Sequence, residues 1–412
     1  MFQQFRLAWR SIWRQGRRTA ITVFVITFGL FLIIILTTLE EGMIRSVIDN
    51  GAELQAGHVT IEHQDYRLAP SVSLSVRNAD TLADEFQQLP QVRSAKLIVS
   101  GEGVARSGAG AFGILIAGVV PDLERQTSPL AEKIVEGDYL EESDKKRIVI
   151  GTVLAERLKL KPGKKLVIAT NDANGELVER LYRVKGIFRT GTDEVDGSLI
   201  HMQLDAARDL FGLPEGSATQ IGLVMESLDR LASFLPLVEK KLSGDPDLAV
   251  HPWQTIMPGV AGYVTVERAS YMIMEGFLIA MVSFTILNTL LMSVTERKKE
   301  FATIIALGGR GGDLRLQVFF EAALIALLGI FFGGLLGGYV AYHYSNAGID
   351  LATFVPSGEV DIAGVAVDTT IYPLVTPRLM AFMCGSILVV TLLLSLIPIS
   401  RVTRISIANL LR

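Results

Sequence analysis

Residues 19–39 read TAITVFVITFGLFLIIILTTL, with no Asp, Glu, Lys or Arg anywhere in the run. At 1.5 Å per residue, a helix of that length crosses the roughly 30 Å hydrocarbon core of a bilayer. Three further stretches are equally free of charge: Gly276 to Thr295, Ala322 to Ile349 and Leu379 to Ser400. The third is longer than a span requires and ends in Tyr342, His343 and Tyr344, an interfacial aromatic belt, so its helix is expected to stop near Ala341. The first run is too long for a signal-peptide core, and Thr37-Thr38-Leu39-Glu40-Glu41 offers no small-x-small cleavage site, so it is read as a retained span.

Working outward, the 412 residues are 50% hydrophobic and 20% charged, which favours a membrane protein. The net charge of -4 argues against nucleic acid as a partner. A single cysteine, Cys384, excludes a disulfide framework or a cysteine zinc site within one chain. Ahead of the first span, Phe2, Phe5, Trp9, Ile12 and Trp13 recur at helical spacing, with Arg6, Arg10, Arg14 and Arg17 opposite. This is the pattern of an in-plane amphipathic helix, or more plainly of a basic flank to the span. Lys and Arg number five in 1–18 and five in 296–315, against none in 342–377. The termini and the middle loop are therefore expected in the cytoplasm.

The expected domains are an amphipathic helix 1–18, spans at 19–39, 271–295, 317–341 and 378–400, a large outer domain 40–270, a cytoplasmic loop 296–316, an outer loop 342–377 and a cytoplasmic tail 401–412. The outer block carries 25 Lys and Arg against 34 Asp and Glu, an acidic soluble domain. Gly57 to Glu62, Leu82 to Leu89 and Val92 to Val99 read as strand, helix, strand; Gln220 to Met225, Leu228 to Leu242 and Leu248 to Trp253 repeat that order. Together they predict duplicated β-α-β units in an α+β domain. A mostly β lobe at about 147–213 is inserted between them, its hairpin turning at Asn174-Gly175. The fold class is thus four transmembrane helices plus a large α+β extracytoplasmic domain.

Catalytic and metal motifs are not found. His58 and His63 are read as hydrogen-bonded or exposed, and Asp193, Glu194 and Asp196 as a solvated acidic loop. Lys161-Pro162-Gly163-Lys164-Lys165 lacks the earlier glycine and the Ser or Thr of a Walker A loop. Between the second and third spans, Phe301, Ile304, Ile305 and Leu307 share one side of a short predicted helix. That helix could dock a partner or lie on the headgroups.

The run N-x-L-L-M-S-V-x-E-R-x-x-E-F-x-x-x-x-A-L-G, from Asn288 to Gly308, resembles the motif after the second span of the FtsX/MacB/LolCE superfamily of ABC-transporter permeases. Three further features are similar to that family. They are Glu321 with the closely spaced glycines up to Gly338, Pro398-x-x-Arg401 followed by Arg404 to Arg412, and Ile148 to Gly151 with Leu154 to Leu158 and Pro162-Gly163. The glycine-rich run Gly308 to Gly312 departs from the usual loop.

The resemblance implies a non-enzymatic permease with porter-like and sabre-like lobes, in the inner membrane, closest in build to the stand-alone lipoprotein-releasing permeases. It implies a second permease chain, homo- or heteromeric, and two copies of a separate ABC ATPase that holds ATP and Mg, while this chain binds no cofactor or metal. It further implies a coupling helix of Glu296, Arg297, Lys298, Glu300, Phe301, Ile304 and Leu307 seated on the ATPase. Acyl chains would lie along Phe28, Phe31, Ile35, Met43, Met272, Met274 and Phe277, with a periplasmic lipoprotein carrier beyond. Gly329, Gly333 and Gly337 are expected to pack helices together. The competing expectations are MacB-like efflux of a small amphiphile or peptide, and FtsX-like activation of a cell-wall hydrolase.

Overall fold

The computed structural model describes residues 2–14, 16–350, 359–362, 365–368 and 370–402. Residues 403–412, with the Arg404 to Arg412 motif, lie outside these, as do 351–358 in the expected outer loop and the Phe2 side chain. The elements run α1 (Phe2–Arg14), α2 (Gly16–Leu54), β1 (Val59–His63), α3 (Ala79–Gln87), β2 (Val92–Ser107), β3 (Gly110–Val119), α4 (Pro121–Thr127) and β4 (Ile134–Gly137). Next come β5 (Arg147–Gly151), α5 (Thr152–Arg157), β6 (Lys165–Asn171), β7 (Leu177–Phe188), α6 (Asp193–Ser198), β8 (Leu199–Gln203), α7 (Leu204–Phe211) and β9 (Gln220–Met225). The chain continues through α8 (Leu231–Leu242), β10 (Leu248–Pro252), α9 (Trp253–Ile256), α10 (Pro258–Glu296), α11 (Lys298–Ala306), α12 (Gly311–Ala347) and α13 (Pro377–Val402).

Two compact units result: a helical one (Met1–Met43, Val266–Leu351, Thr370–Arg412) and an α/β domain (Ile44–Thr265 with Ala352–Thr369). Among the described residues four helices, α2, α10, α12 and α13, are long and apolar enough to cross a membrane. Pro258 and Pro377 open their helices, where a missing N–H costs nothing, and Gly348 closes α12 at φ 72°. α2 and α10 each have 39 residues, about 58 Å of unbroken helix and nearly twice a bilayer core. Both therefore run well past the expected span limits, and α12 continues to Ala347 rather than stopping near Ala341. Charge marks where the hydrocarbon ends, but it does not end a helix.

In the helical unit, Ile26, Leu30, Ile33 and Ile34 of α2 are buried with Val282 and Ile286 of α10, Ala322 and Ile325 of α12, and Met383 and Ile387 of α13. The glycine row of α12 faces α2. A Cβ on Gly329 would lie 2.5 Å from Ile26 Cγ2, one on Gly333 2.9 Å from the Thr27 carbonyl oxygen, and one on Gly337 3.0 Å from Ile34 Cδ1. Contact this close leaves no room for side chains, and the Thr27 hydroxyl donates to the Gly329 carbonyl across the seam at 3.3 Å.

In the α/β domain the strand order β10-β1-β9-β2 interleaves two β-α-β units, β1-α3-β2 and β9-α8-β10, all neighbours antiparallel. This is a ferredoxin-like arrangement. β2 then leaves that sheet. Its first half, up to Ile98, pairs with β9, and Val99 to Ser107 pair with β3. From β2 the pairing continues through β3, β8, β5, β7 and β6 and returns to β2, closing a six-stranded barrel. Ile116, Ile148, Ile150, Leu166, Ile168, Val184, Ile200 and Met202 are buried as alternate residues of its strands. The second lobe thus begins near Val99, not at 147, because the glycine-interrupted second half of β2 and all of β3 belong to it.

Candidate functional site

The loop between α10 and α12 is fastened from within the helical unit. Gly308, at φ +92°, ends α11, and the glycines up to Gly312 lead into α12. Phe301 is only 1% exposed and is packed with Val294, Leu314 and Val318, with Ile305 and Ile399 against them. The Arg297 guanidinium lies 5.0 Å over its ring. One Arg297 Nη1 donates both to Glu321 Oε2 of α12, at 3.0 Å, and to Ser11 Oγ of α1, at 2.9 Å. Its Nε donates to Glu300 Oε2 at 3.2 Å. Glu300 also pairs with Arg14 of α1, while Arg18 at the start of α2 bonds Glu296, at 2.9 Å, and the Thr289 carbonyl. Partial burial pushes the Glu300 carboxyl up, but hydrogen bonds from Arg14 and Arg297, and their charges, outweigh it and hold it below the ordinary value.

This geometry corrects the expected coupling face. Glu296 is the last residue of α10, and Arg297 precedes α11, whose own span is Lys298–Ala306. Phe301 and Ile305, one helical turn apart, point inward because they fill the pocket between α10 and α12. Ile304 and Leu307 lie on another side, 42% and 84% exposed, beside exposed Lys298 and Lys299. Phe301 and Arg297 hold the loop in place, and Lys298, Lys299, Ile304 and Leu307 are the residues it presents.

The expected substrate-lining residues lie on α2 and α10. Phe24, Phe28 and Phe31 stack along α2 with ring separations of 6.0 and 6.3 Å, and Phe28 is exposed. Met272, Met274 and Phe277 are exposed on α10, while Ile35 and Met43 are half-buried. Met274 borders a crevice against α2, lined with Ile33, Leu36, Thr37, Tyr271, Glu275 and Leu278. Its free volume of about 10 Å³ admits little more than a water molecule.

In the α/β domain, His58 is buried, its Nε2 2.8 Å from Asp49 Oδ1 and its Nδ1 accepting from the Met225 N–H at 3.0 Å. Asp196 is not in a solvated loop. It is buried in α6 and accepts from the Thr190 N–H and hydroxyl, each at 2.8 Å, because this helix needs an internal acceptor for the turn before it. No group of three or more metal-ligating side chains occurs among the described residues. A buried polar cluster escaped sequence reading. Lys96 Nζ lies 3.2 Å from Glu124 Oε2 and donates to the Glu53 carbonyl at 2.7 Å, and the Tyr139 hydroxyl and His201 Nδ1 are 2.9 Å apart. Burial depresses His201 to about 4 and pushes the Tyr139 hydroxyl well up. Glu124 and His201 border a cleft of about 500 Å³ between the two lobes of this domain. Their positions, far apart in sequence, carry no local motif.

A family model described as a MacB-like periplasmic core domain matches residues 19–233, and one described as an FtsX-like permease C-terminal region matches 272–407. The lipoprotein-releasing system transmembrane protein LolC of Neisseria meningitidis is 25% identical over 67% of this chain and 71% of that protein. LolC of Xylella fastidiosa is 23% identical over 94% of this chain and 92% of its own length. The pyoverdine export ATP-binding/permease protein PvdT of Pseudomonas aeruginosa is 24% identical over 85% of this chain, which spans 54% of it.

Proposed function

This chain belongs to the FtsX/MacB/LolC family of ABC-transporter permeases, and from that premise we propose that it couples ATP hydrolysis on a separate ATPase to lipoprotein extraction from the inner membrane. The observation that carries the coupling is the pair of helices α2 and α10, each unbroken over 39 residues. A rigid rod of that length can transmit a displacement from one side of a bilayer to the other. In this reading the ferredoxin-like lobe is porter-like, the barrel is sabre-like, and both stand in the periplasm, with the termini and α11 in the cytoplasm. Two ATPase copies, holding ATP and Mg, dock on the presented side of α11, and a second permease chain completes the assembly.

Lipoprotein is the favoured cargo because LolC of Xylella fastidiosa aligns along 94% of this chain and 92% of its own length. The exposed apolar residues Phe28, Met272 and Phe277 supply surface for acyl chains once a second chain walls them in. A periplasmic carrier would receive the cargo. Similarity to PvdT supports a second reading, export of a small amphiphile.

The docking test is Ile304→Asp with Leu307→Asp. These exposed sites should leave melting of the chain unchanged and abolish ATPase co-purification; full retention of the ATPase would refute the docking. For cargo, ATP-dependent release of an acylated lipoprotein from proteoliposomes supports the first reading. Release of a soluble amphiphile alone moves the assignment to export.

A further inference from the structure

Glu321 lies within the spanning helix α12 and is buried, where a carboxylate requires a counter-charge. Its bonded groups are the Arg297 guanidinium, at 3.0 Å, the Ser293 hydroxyl, at 3.4 Å, and the Ser11 side chain. The same guanidinium reaches Ser11 of α1 and Glu300 of α11 and covers the Phe301 ring. A planar fork with five donors can serve these directions together, and a lysine cannot. α1 is tied in a second time through Arg14 and Glu300.

The covalent route from α11 to α12 passes through Leu307, Gly308, Gly309 and Arg310, and its paired glycines make it too compliant to carry a push. Any displacement of α11 must therefore reach α12 through side chains: the packing of Phe301 on Leu314 and Val318, and the polar contacts of Arg297, which alone also include α1 and Glu321. We infer that Arg297 is the positioning residue of the transmission step, joining α1, α11 and α12 into one rigid body. Force on Ile304 and Leu307 is then delivered at once to a spanning helix and to the amphipathic α1, instead of being absorbed in the glycine link. This rests on the proposed ATPase coupling.

The test uses the full chain in nanodiscs, in a Cys384→Ala background, with spin labels at exposed Arg10 of α1 and Thr303 of α11. The native pair should give one narrow distance distribution. Arg297→Gln alone leaves Glu321 unpaired and can misfold, so the decisive variant is Arg297→Gln with Glu321→Gln, which removes both charges together. It should melt like the native chain, show a broadened distance and retain the ATPase. Its ATP-driven release should fall by about tenfold, the scale of one coupling energy. A narrow distance, or native release, in the double variant overturns the inference. If the native chain shows no ATP-driven release at all, the coupling reading fails instead, and the distance measurement alone decides the clamp.

Discussion

At neutral pH the imidazole of His201 is uncharged and enclosed, and acidification puts a measurable load on the α/β domain through it. Burial, opposed by Glu124 and reinforced by Lys96, lowers its pKa from 6.5 to about 4. Between those values the unfolded chain holds a proton that the folded chain refuses, so stability rises with pH. The contribution is complete above about pH 6.5 and erodes as pH falls toward about 4. Linkage across that interval predicts a loss of about 1 kcal/mol at about pH 5.5 and about 3 kcal/mol at about pH 4. His201→Gln isolates the effect, since glutamine can accept from the Tyr139 hydroxyl but does not titrate. Melting of the full chain in detergent, followed by intrinsic fluorescence from about pH 7.5 to 5.5, should show the native protein losing about 1 kcal/mol more than the variant. Parallel pH curves for the two proteins would refute the assignment of a neutral, enclosed His201.

Two further outcomes follow from packing. Phe301→Ala should empty the pocket between α10 and α12 at a cost of about 3–5 kcal/mol, exposing residues 298–306 to hydrogen exchange without loss of membrane insertion; unchanged protection there would contradict the inward placement of the ring. Gly333→Ala should lower the melting temperature, at a cost of about 1–3 kcal/mol, because its Cβ would meet the Thr27 backbone. Gly334→Ala serves as the control, since its Cβ would stand 3.6 Å from Cys384 Sγ in ordinary contact, and equal melting of the two variants would sink the seam.

The four spans and the duplicated β-α-β units were legible because both rest on local periodicity: uncharged runs of bilayer length, and repeated strand, helix and strand patterns. The continuation of α2 past Leu39 was harder to see. Its residues Ile44, Val47, Ile48 and Ala52 do keep a helical rhythm and are buried in the α/β domain, but Glu40, Glu41 and Arg45 interrupt the apolar run. β3 was hidden by its glycines, although Phe112, Ile114 and Ile116 alternate. For α11, periodicity announced a two-sided helix but could not say which side meets protein. That choice depends on Leu314 and Val318, residues of another helix. The cluster of Lys96, Glu124, Tyr139 and His201 had no sequence signal, because its members come from separate elements brought together only by the fold.

The interleaving of β1 with β9 and β10 has a consequence for biogenesis. β1 has no sheet partner until a strand made about 160 residues later has emerged, a delay of roughly 10–30 s at ordinary synthesis rates. The barrel, by contrast, is encoded between Val99 and Gln203 and can close while β9 is still unsynthesised. The nascent chain therefore carries an unpaired β1, with the apolar faces of α3 and β2, until β9 is made. The amphipathic α3 and the open edge of β1 are the surfaces that a folding helper would have to shield during that interval, and a stalled chain ending before Gln220 should be the species it captures.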